Sequence, residues 1–235
     1  MVRRRGVAAL RSVLVPRLVG ASLRDRAVAC LGALIGIGLT GAVTAWALGD
    51  AATVPVLVAP MGATAVLVFA VPASPLAQPW PVVGGNTISA LVGVLAVRTI
   101  GEPNLAAGAA VAGAILVMSL LRCLHPPGGA AALTAVIGGA AVHAAGYRFA
   151  LVPVAFNSAL LLAVAWLFHR WSGHSYPHRP AIGPHASELL HREDIDAALA
   201  ETGETFDITS ADLDQLLRSA ERHAVARRAR AQRVR

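Results

Sequence analysis

Apolar residues run almost without interruption through the middle of the chain and thin out toward both ends. Between positions 27 and 169 the charged side chains are Asp50, Arg98, Glu102, Arg122 and Arg148, and none stands between 51 and 97. A helix needs about 20 apolar residues to cross about 30 Å of hydrocarbon. Six stretches match or approach that length: 27–48, 52–72, 82–101, 104–121, 128–146 and 149–169. They are separated at Gly49-Asp50, at Pro72 to Pro81, at Arg98 to Asn104, at Arg122 to Pro127 and at Gly146 to Arg148. Pro and Gly interrupt the second and the fifth, so those two can be continuous or broken. Gly and Ala dominate the spans and permit close helix–helix contact. The pattern predicts an all-α, polytopic transmembrane bundle of about six spans.

Composition excludes the main alternatives. The 235 residues are 56% hydrophobic and 14% charged, with a mean hydropathy of +0.62. A soluble domain is about 45–50% apolar and about 25% charged. Two cysteines, Cys30 and Cys123, both among apolar neighbours, exclude a disulfide scaffold or a Cys-rich zinc module. The net charge of +7 suggests nucleic acid at first sight, but the charge sits at the two ends of an apolar block. A nucleic-acid face would spread arginine among polar groups. The partners expected are therefore the lipid bilayer, a small solute and further copies of the chain, not nucleic acid.

The chain divides into a basic N-terminal segment (1–26), a transmembrane domain (27–170), a Pro/His-rich linker (171–186) and a helical tail (187–235). The N-terminal segment holds seven arginines and one acid, Asp25, which predicts a cytoplasmic N-terminus. Its apolar run is cut by Arg11 and Arg17 and makes a poor signal peptide. Six spans return the C-terminus to the cytoplasm, in a bacterial-type plasma (inner) membrane. Arg122 and Arg170 then lie inside, and Asp50, Arg98, Glu102 and Arg148 outside.

Two segments read alike. Pro60-Met61-Gly62-Ala63-Thr64-Ala65-Val66-Leu67 matches Pro126-Pro127-Gly128-Gly129-Ala130-Ala131-Ala132-Leu133, 66 residues on. Each is followed by a Pro-Val and then an asparagine: Pro81-Val82 with Asn86, and Pro153-Val154 with Asn157. The chain parses as two three-helix units, 27–101 and 104–169, and an odd number of spans per unit gives them opposite orientations. Inverted repeats with broken helices are a transporter plan whose site lies at the repeat interface. Proline suits a first helical turn, and glycine lets a ligand approach the backbone. Helix starts at Pro60 and Pro127 would leave N–H groups for an anion. Pro60 lies eight residues inside the second stretch, which predicts a broken or re-entrant segment near 58–62.

Leu124-His125-Pro126-Pro127-Gly128-Gly129-Ala130 resembles the signature of the HPP family of integral membrane proteins. Ser74-Pro75-Leu76-Ala77-Gln78-Pro79, with Gly84-Gly85 and Ser89-Ala90-Leu91-Val92-Gly93, resembles that family's second common block. The resemblance covers roughly residues 25–170. It implies a small-anion transporter, since members in photosynthetic organisms are associated with nitrite. A basic residue often follows the Gln-Pro in the family and a histidine the Gly-Gly; here those positions hold Trp80 and Asn86. Charge or proton handling by that pair is not expected. The tail is too short for the CBS regulatory pair that some members carry.

The expected pathway residues are Pro60, Gly62, Thr64, Asn86, Ser89, Arg122, His125, Pro126, Pro127, Gly128, Gly129 and Asn157. His125 serves as donor or titratable group, or caps a helix at the interface. Asn86 and Asn157 donate amide N–H groups to an oxyanion, or hydrogen-bond between helices. Thr64 and Ser89 line the pathway, or bond back to their own backbone. Arg122 draws anions to the cytoplasmic mouth, or anchors the orientation. No acid lies inside a span, so carboxylate proton relays and carboxylate sodium sites are not expected.

In the tail, 187–201 reads as a short amphipathic helix, and Thr209 with Asp212 resembles a capping box for a helix from about 210. Its last arginines could rest on anionic lipid. The linker histidines lack metal-site spacing, so no metal and no cofactor are expected. No nucleophile, paired carboxylates or metal set marks an enzyme. The leading expectation is a transporter or channel for a small inorganic anion, nitrite-like, held at the Pro-Gly helix starts. The alternative is a membrane-anchored structural or signalling protein whose tail binds a partner.

Overall fold

The computed structural model describes residues 22–49, 54–179, 191–202 and 207–233. The first 21 residues, Asp50, and the linker from 180 to 190 with Pro180, Pro184 and His185 lie outside the described residues. The elements are α1 (Leu23–Leu48), α2 (Pro60–Ala70), α3 (Asn86–Thr99), α4 (Pro103–Leu120), α5 (Pro126–Ile137), α6 (Gly139–Ala145), α7 (Phe156–Ser172), α8 (Arg192–Thr202) and α9 (Ser210–Arg233). Wide π turns at Pro81–Gly85 and Ala150–Ala155 lead into α3 and α7. No strand occurs among the described residues.

Each helix starts where its chemistry dictates. Ser22 accepts the Asp25 N–H at 3.2 Å and Asp25 accepts the Ser22 N–H at 2.8 Å, a capping box for α1. Glu102 accepts the Asn104 and Leu105 N–H groups at the start of α4, with Pro103 in the first turn. Thr209 accepts the Asp212 N–H at 3.1 Å at the start of α9, as its spacing predicts. The eighth helix begins at Arg192; residues 187–190 of the expected stretch lie outside the described residues.

Four helical stretches are long and apolar enough to cross a membrane: Leu23–Leu48, Pro81–Thr99, Pro103–Leu120 and Ala150–Ser172. The expected second and fifth spans are not continuous. Residues 54–59 are non-helical and α2 has 11 residues, about 16 Å at 1.5 Å per residue. The fifth turns by 99° between α5 and α6, and counts as one broken span or as a re-entrant loop. The bend sits at Gly139, whose φ of +77° favours glycine.

Small residues set the packing. The buried face of α1 is Gly32, Gly36, Thr40 and Thr44, and that of α4 is Ala106, Ala110, Ala114 and Met118. Both follow a four-residue step along one side of a helix. The α1 glycines receive the edge of Phe69 from α2. α1 packs on α2 and α7, α4 packs on α5 and α3, and α2 touches α5 and α7. Large apolar side chains such as Leu34, Trp46, Leu116 and Leu120 face outward. An exposed apolar face of this kind is costly in water and suits lipid.

The start of α1, the 71–80 loop, the 121–125 loop and the end of α7 share one end of the bundle. Trp80 Nε1–H donates to the Leu121 carbonyl at 3.1 Å, and Tyr176 O–H to the Ala77 carbonyl at 2.6 Å. The opposite end carries Arg98, Glu102, Tyr147 and Arg148, with the Arg98 guanidinium over the Tyr147 ring.

Candidate functional site: a buried polar cluster between the broken helices

Among the described residues ten polar side chains are buried, and four of them, Thr64, Asn86, His125 and Ser158, converge. His125, the residue before α5, is fully buried. Its Nδ1 lies 2.8 Å from the Leu76 carbonyl and its Nε2 lies 3.0 Å from Thr64 Oγ1. A carbonyl only accepts, so in the neutral ring Nδ1 carries the proton and Nε2 accepts from the Thr64 hydroxyl. Asn86 Nδ2 then donates toward Thr64 Oγ1 at 3.3 Å, Ser158 Oγ at 3.2 Å and the Val82 carbonyl at 3.0 Å. The chain Ser158, Asn86, Thr64, His125 thus joins α7, α3, α2 and the α5 start in one network. No Asp or Glu belongs to it.

The π turns explain why asparagine and serine stand here. A π turn removes carbonyls from the usual i→i−4 ladder. Asn86 takes up the Val82 carbonyl, and Ser158 takes up the Val154 carbonyl at 2.8 Å. Among the described residues two buried atoms here have no partner: Asn86 Oδ1 within the network and Ser89 Oγ one turn along α3. A third, Thr40 Oγ1, lies on α1.

Asn157 does different work. Its Oδ1 accepts the Val58 N–H at 3.2 Å, and its Nδ2 donates to Thr44 Oγ1 at 2.9 Å and the Val56 carbonyl at 3.2 Å. Residues 56–58 are non-helical and flank α2, where lipid offers their backbone no partner. Asn157 supplies those partners from α7.

Of the expected site residues, Thr64, Asn86 and His125 come together, with Ser89 one turn along α3. Pro60, Pro127 and Gly128 are buried beside them. A Cβ on Gly128 would lie 2.7 Å from Ser89 Oγ and 2.9 Å from Met118 Sδ, so glycine sets the α3–α5 approach. Gly62, Pro126 and Arg122 are exposed and stand apart; a Cβ on Gly62 would meet nothing within 4 Å. Gly129 is half-buried, and a Cβ there would meet Val111 at 3.9 Å, an ordinary contact. Arg122 occupies the turn after α4 at φ +53°, an arrangement that side-chain-bearing residues adopt at a cost.

The free N–H groups expected at the helix starts are largely used. Met61 and Gly62 N–H donate to the Val58 and Ala59 carbonyls, Gly128 N–H donates to the His125 carbonyl, and Pro126 and Pro127 have none. Short i→i+3 bonds close these ends, so side chains rather than backbone carry the polar capacity of the site. Sequence reasoning missed Ser158, Thr44 and the Leu76 carbonyl. Ser158 follows Asn157 directly, and Thr40 and Thr44 continue the Gly32–Gly36 step, which are signals the chain does carry. His169 was also missed; its Nε2–H donates to the Val68 carbonyl at 2.8 Å, a structural tie between α7 and α2.

The His125 partner Leu76 sits in a loop that the linker and tail hold from outside. His178 N–H donates to Gln78 Oε1 at 2.9 Å, Ser74 O–H donates to Asp207 Oδ1 at 2.8 Å, and His178 Nε2 pairs with Asp212 Oδ1 at 2.7 Å. Partial burial works to raise the Asp212 carboxyl, but hydrogen bonds from Thr209 and His178 outweigh it and hold it below its ordinary value. Among the described residues no group of three His, Cys, Asp or Glu side chains could hold a metal ion.

Long apolar helices, an outward apolar face and a closed polar interior define a multi-pass helical membrane protein. The chain belongs to the HPP transmembrane family: the family model described as "HPP, transmembrane region" matches residues 19–177. It is similar to a transmembrane protein of Dictyostelium discoideum, 37% identical over 131 residues, covering 54% of this chain and 46% of the relative. A second transmembrane protein of that organism is 38% identical over 120 residues, covering 49% and 38%. The chain thus spans less than half the length of these curated relatives. No solved structure matches.

Proposed function

We propose that this chain is an inner-membrane transporter or channel for a small inorganic anion, with a nitrite-like oxyanion as the first candidate. The observation that carries the reading is the Thr64–Asn86–His125–Ser158 network, a buried set of neutral donors and acceptors without a carboxylate. Buried polar groups inside a membrane bundle are expensive and are usually retained for function. Asn86 Oδ1 has no donor. A weak-acid oxyanion carried as its neutral acid can donate its O–H to this oxygen, and chloride, whose acid is fully ionised, has no such form. Ser89 Oγ, also without a partner, supplies a second contact.

An inverted repeat supports the same reading. Exchanging α1, α2 and α3 for α4, α5 and α7 maps the helix contacts onto themselves: α1 on α2 and α7 becomes α4 on α5 and α3. Both π turns precede the two buried asparagines. With the arginine-rich ends taken as cytoplasmic, both termini lie inside. The helix N-termini contribute their dipoles to the site, while the side chains make the contacts.

The test is anion flux into liposomes holding the purified protein, comparing nitrite, nitrate, formate, bicarbonate, sulfate and chloride. Saturable flux of a weak-acid anion, reduced at least about tenfold by Asn86→Leu or His125→Ala, supports the proposal. Folded, inserted protein that passes none of these anions overturns it. A second reading, an anchored protein whose tail binds a partner, draws on the apolar cleft of about 370 Å³ between α8 and α9, lined by Ile195, Leu199, Leu213 and Leu217. Removing residues 187–235 separates the two, since a transporter core keeps its flux.

A further inference from the structure

The end of the bundle opposite the start of α1 and the end of α7 has a cleft of about 170 Å³, enclosed by α3, α5, α6 and the turn after α6. Buried Val94, Ala135 and Val142 form its apolar wall, and Arg98 and His143 give it polar character. The Arg98 guanidinium is held in place. Its central carbon lies 4.9 Å from the centre of the Tyr147 ring. Gly146, at φ +55°, lies against it, and a Cβ there would come within 2.5 Å of Nη2. A side chain at 146 would therefore displace the guanidinium. Yet Arg98 has no ion pair and no hydrogen-bond acceptor among the described residues. The acid closest in sequence among them, Glu102, is occupied: its oxygens accept the Leu105 and Asn104 N–H groups, which hold its carboxyl below the ordinary range.

A guanidinium fixed on an aromatic face, beside an apolar wall and without a counter-ion, is half of a charge pair. Its planar fork matches two oxygens of one planar group, and a nearby low-dielectric wall strengthens the contact. His143 Nε2–H is committed to the Val136 carbonyl at 2.7 Å, which leaves Nδ1 as the ring's free nitrogen. The cleft has ample room for an anion of three or four heavy atoms with water, but not for a large organic acid. We propose that Arg98, set by Tyr147 and Gly146, is a binding site for a small planar oxyanion or carboxylate at the end of the bundle remote from the start of α1 and the end of α7. As the mouth of a pathway this rests on the transport reading; as a binding site it stands without it. A lipid phosphate offers the same oxygens, so the experiment separates the two sources.

The purified protein in detergent is titrated with sodium nitrite, nitrate and formate at constant total salt, and its unfolding temperature is followed. The expected result is a saturable rise for the wild type. Arg98→Gln raises the half-saturating concentration at least about tenfold, because a charge-assisted contact is lost. Its unfolding temperature without anion stays unchanged, since Arg98 is exposed. Arg98→Lys falls between, having lost the fork, and Tyr147→Leu weakens binding a few-fold while keeping the charge. No saturable rise with any of the three anions overturns the proposal, as does an Arg98→Gln titration that matches the wild type. Repeating the titration in nanodiscs of phosphatidylcholine, with and without phosphatidylglycerol, identifies the source. Loss of the rise only with phosphatidylglycerol keeps the site but assigns it to a lipid phosphate and overturns the free anion. Binding that depends on Arg98 in a protein without flux overturns transport and leaves the site standing. Flux with unchanged half-saturation in Arg98→Gln does the reverse.

Discussion

Asn86 and Asn157 occupy matching places and do opposite things. Both are fully buried, and each follows a π turn at the start of a long helix. Asn157 is saturated: Val58 N–H, the Val56 carbonyl and Thr44 Oγ1 meet its amide. Asn86 spreads two N–H groups over three acceptors and leaves its oxygen without a partner. The same residue type therefore repairs backbone on one side of the bundle and keeps polar capacity in reserve on the other. The difference follows from their neighbours. The chain before α2 is non-helical where Asn157 reaches it, while Asn86 meets one carbonyl of its own π turn and otherwise the side chains of Thr64 and Ser158. A buried polar residue is evidence for a binding function only after its partners have been counted.

The largest effect should come from Asn157→Leu. It removes three hydrogen bonds, each worth about 0.6–2 kcal/mol in a membrane, and orphans a buried N–H and carbonyl. A loss of about 3 kcal/mol or more is expected in denaturant unfolding from mixed micelles. Asn86→Leu, whose oxygen already lacks a partner and whose two N–H groups are shared among three acceptors, should cost less, about 1–2 kcal/mol, yet lower flux at least about tenfold. Equal stability losses, or undiminished flux in Asn86→Leu, would break the contrast.

Gly128→Ala against Gly62→Ala repeats the contrast between the two Pro-Gly segments. The Gly128 Cβ would meet Ser89, Met118 and the Gly85 carbonyl at 2.7–3.0 Å, an overpacking cost of about 1–3 kcal/mol. The Gly62 Cβ meets open space, so Gly62→Ala should stay within about 0.5 kcal/mol or stabilise α2. Unfolding midpoints of the pair decide this. If Gly62→Ala stops flux without destabilising the fold, the exposed helix start does belong to the pathway.

The smallest effect concerns the tail. The His178–Asp212 pair is partly exposed, with side-chain accessibilities of 21% and 18%, so Asp212→Asn should cost under about 1 kcal/mol. Because the Asp212 carboxyl sits below its ordinary 3.8 in the folded protein, its contribution is present above that pH. It is lost as pH falls below 3.8 through the lowered value. Protease protection of α9 should therefore hold between pH 5 and 8 and weaken only in acid. Weakening that begins near neutrality would place the control elsewhere than on this carboxylate.

Much of this molecule is determined by its sequence alone. Four spans follow from apolar runs of about 20 residues, because hydrocarbon leaves a helix no alternative for its backbone. Ser22, Glu102 and Thr209 mark helix starts through short-range capping, and Pro60 announces a break. Thr64, Asn86 and His125 stood among the twelve expected pathway residues, singled out by the repeated segments and the His-Pro-Pro motif, but nothing in the sequence set those three apart as a group. The tertiary structure decided which form the interruptions of the second and fifth stretches take: non-helical chain over 54–59 in the second and a 99° bend in the fifth. Hydropathy counts apolar side chains and is blind to where backbone hydrogen bonds end. It alone decided that Ser158 and the Leu76 carbonyl join the cluster, that Gly62 and Arg122 stay outside, and that Arg98 rests on Tyr147. The contacts among these join residues 49 to 72 positions apart. Their geometry is set by how small-residue faces let the helices close, which no local pattern encodes.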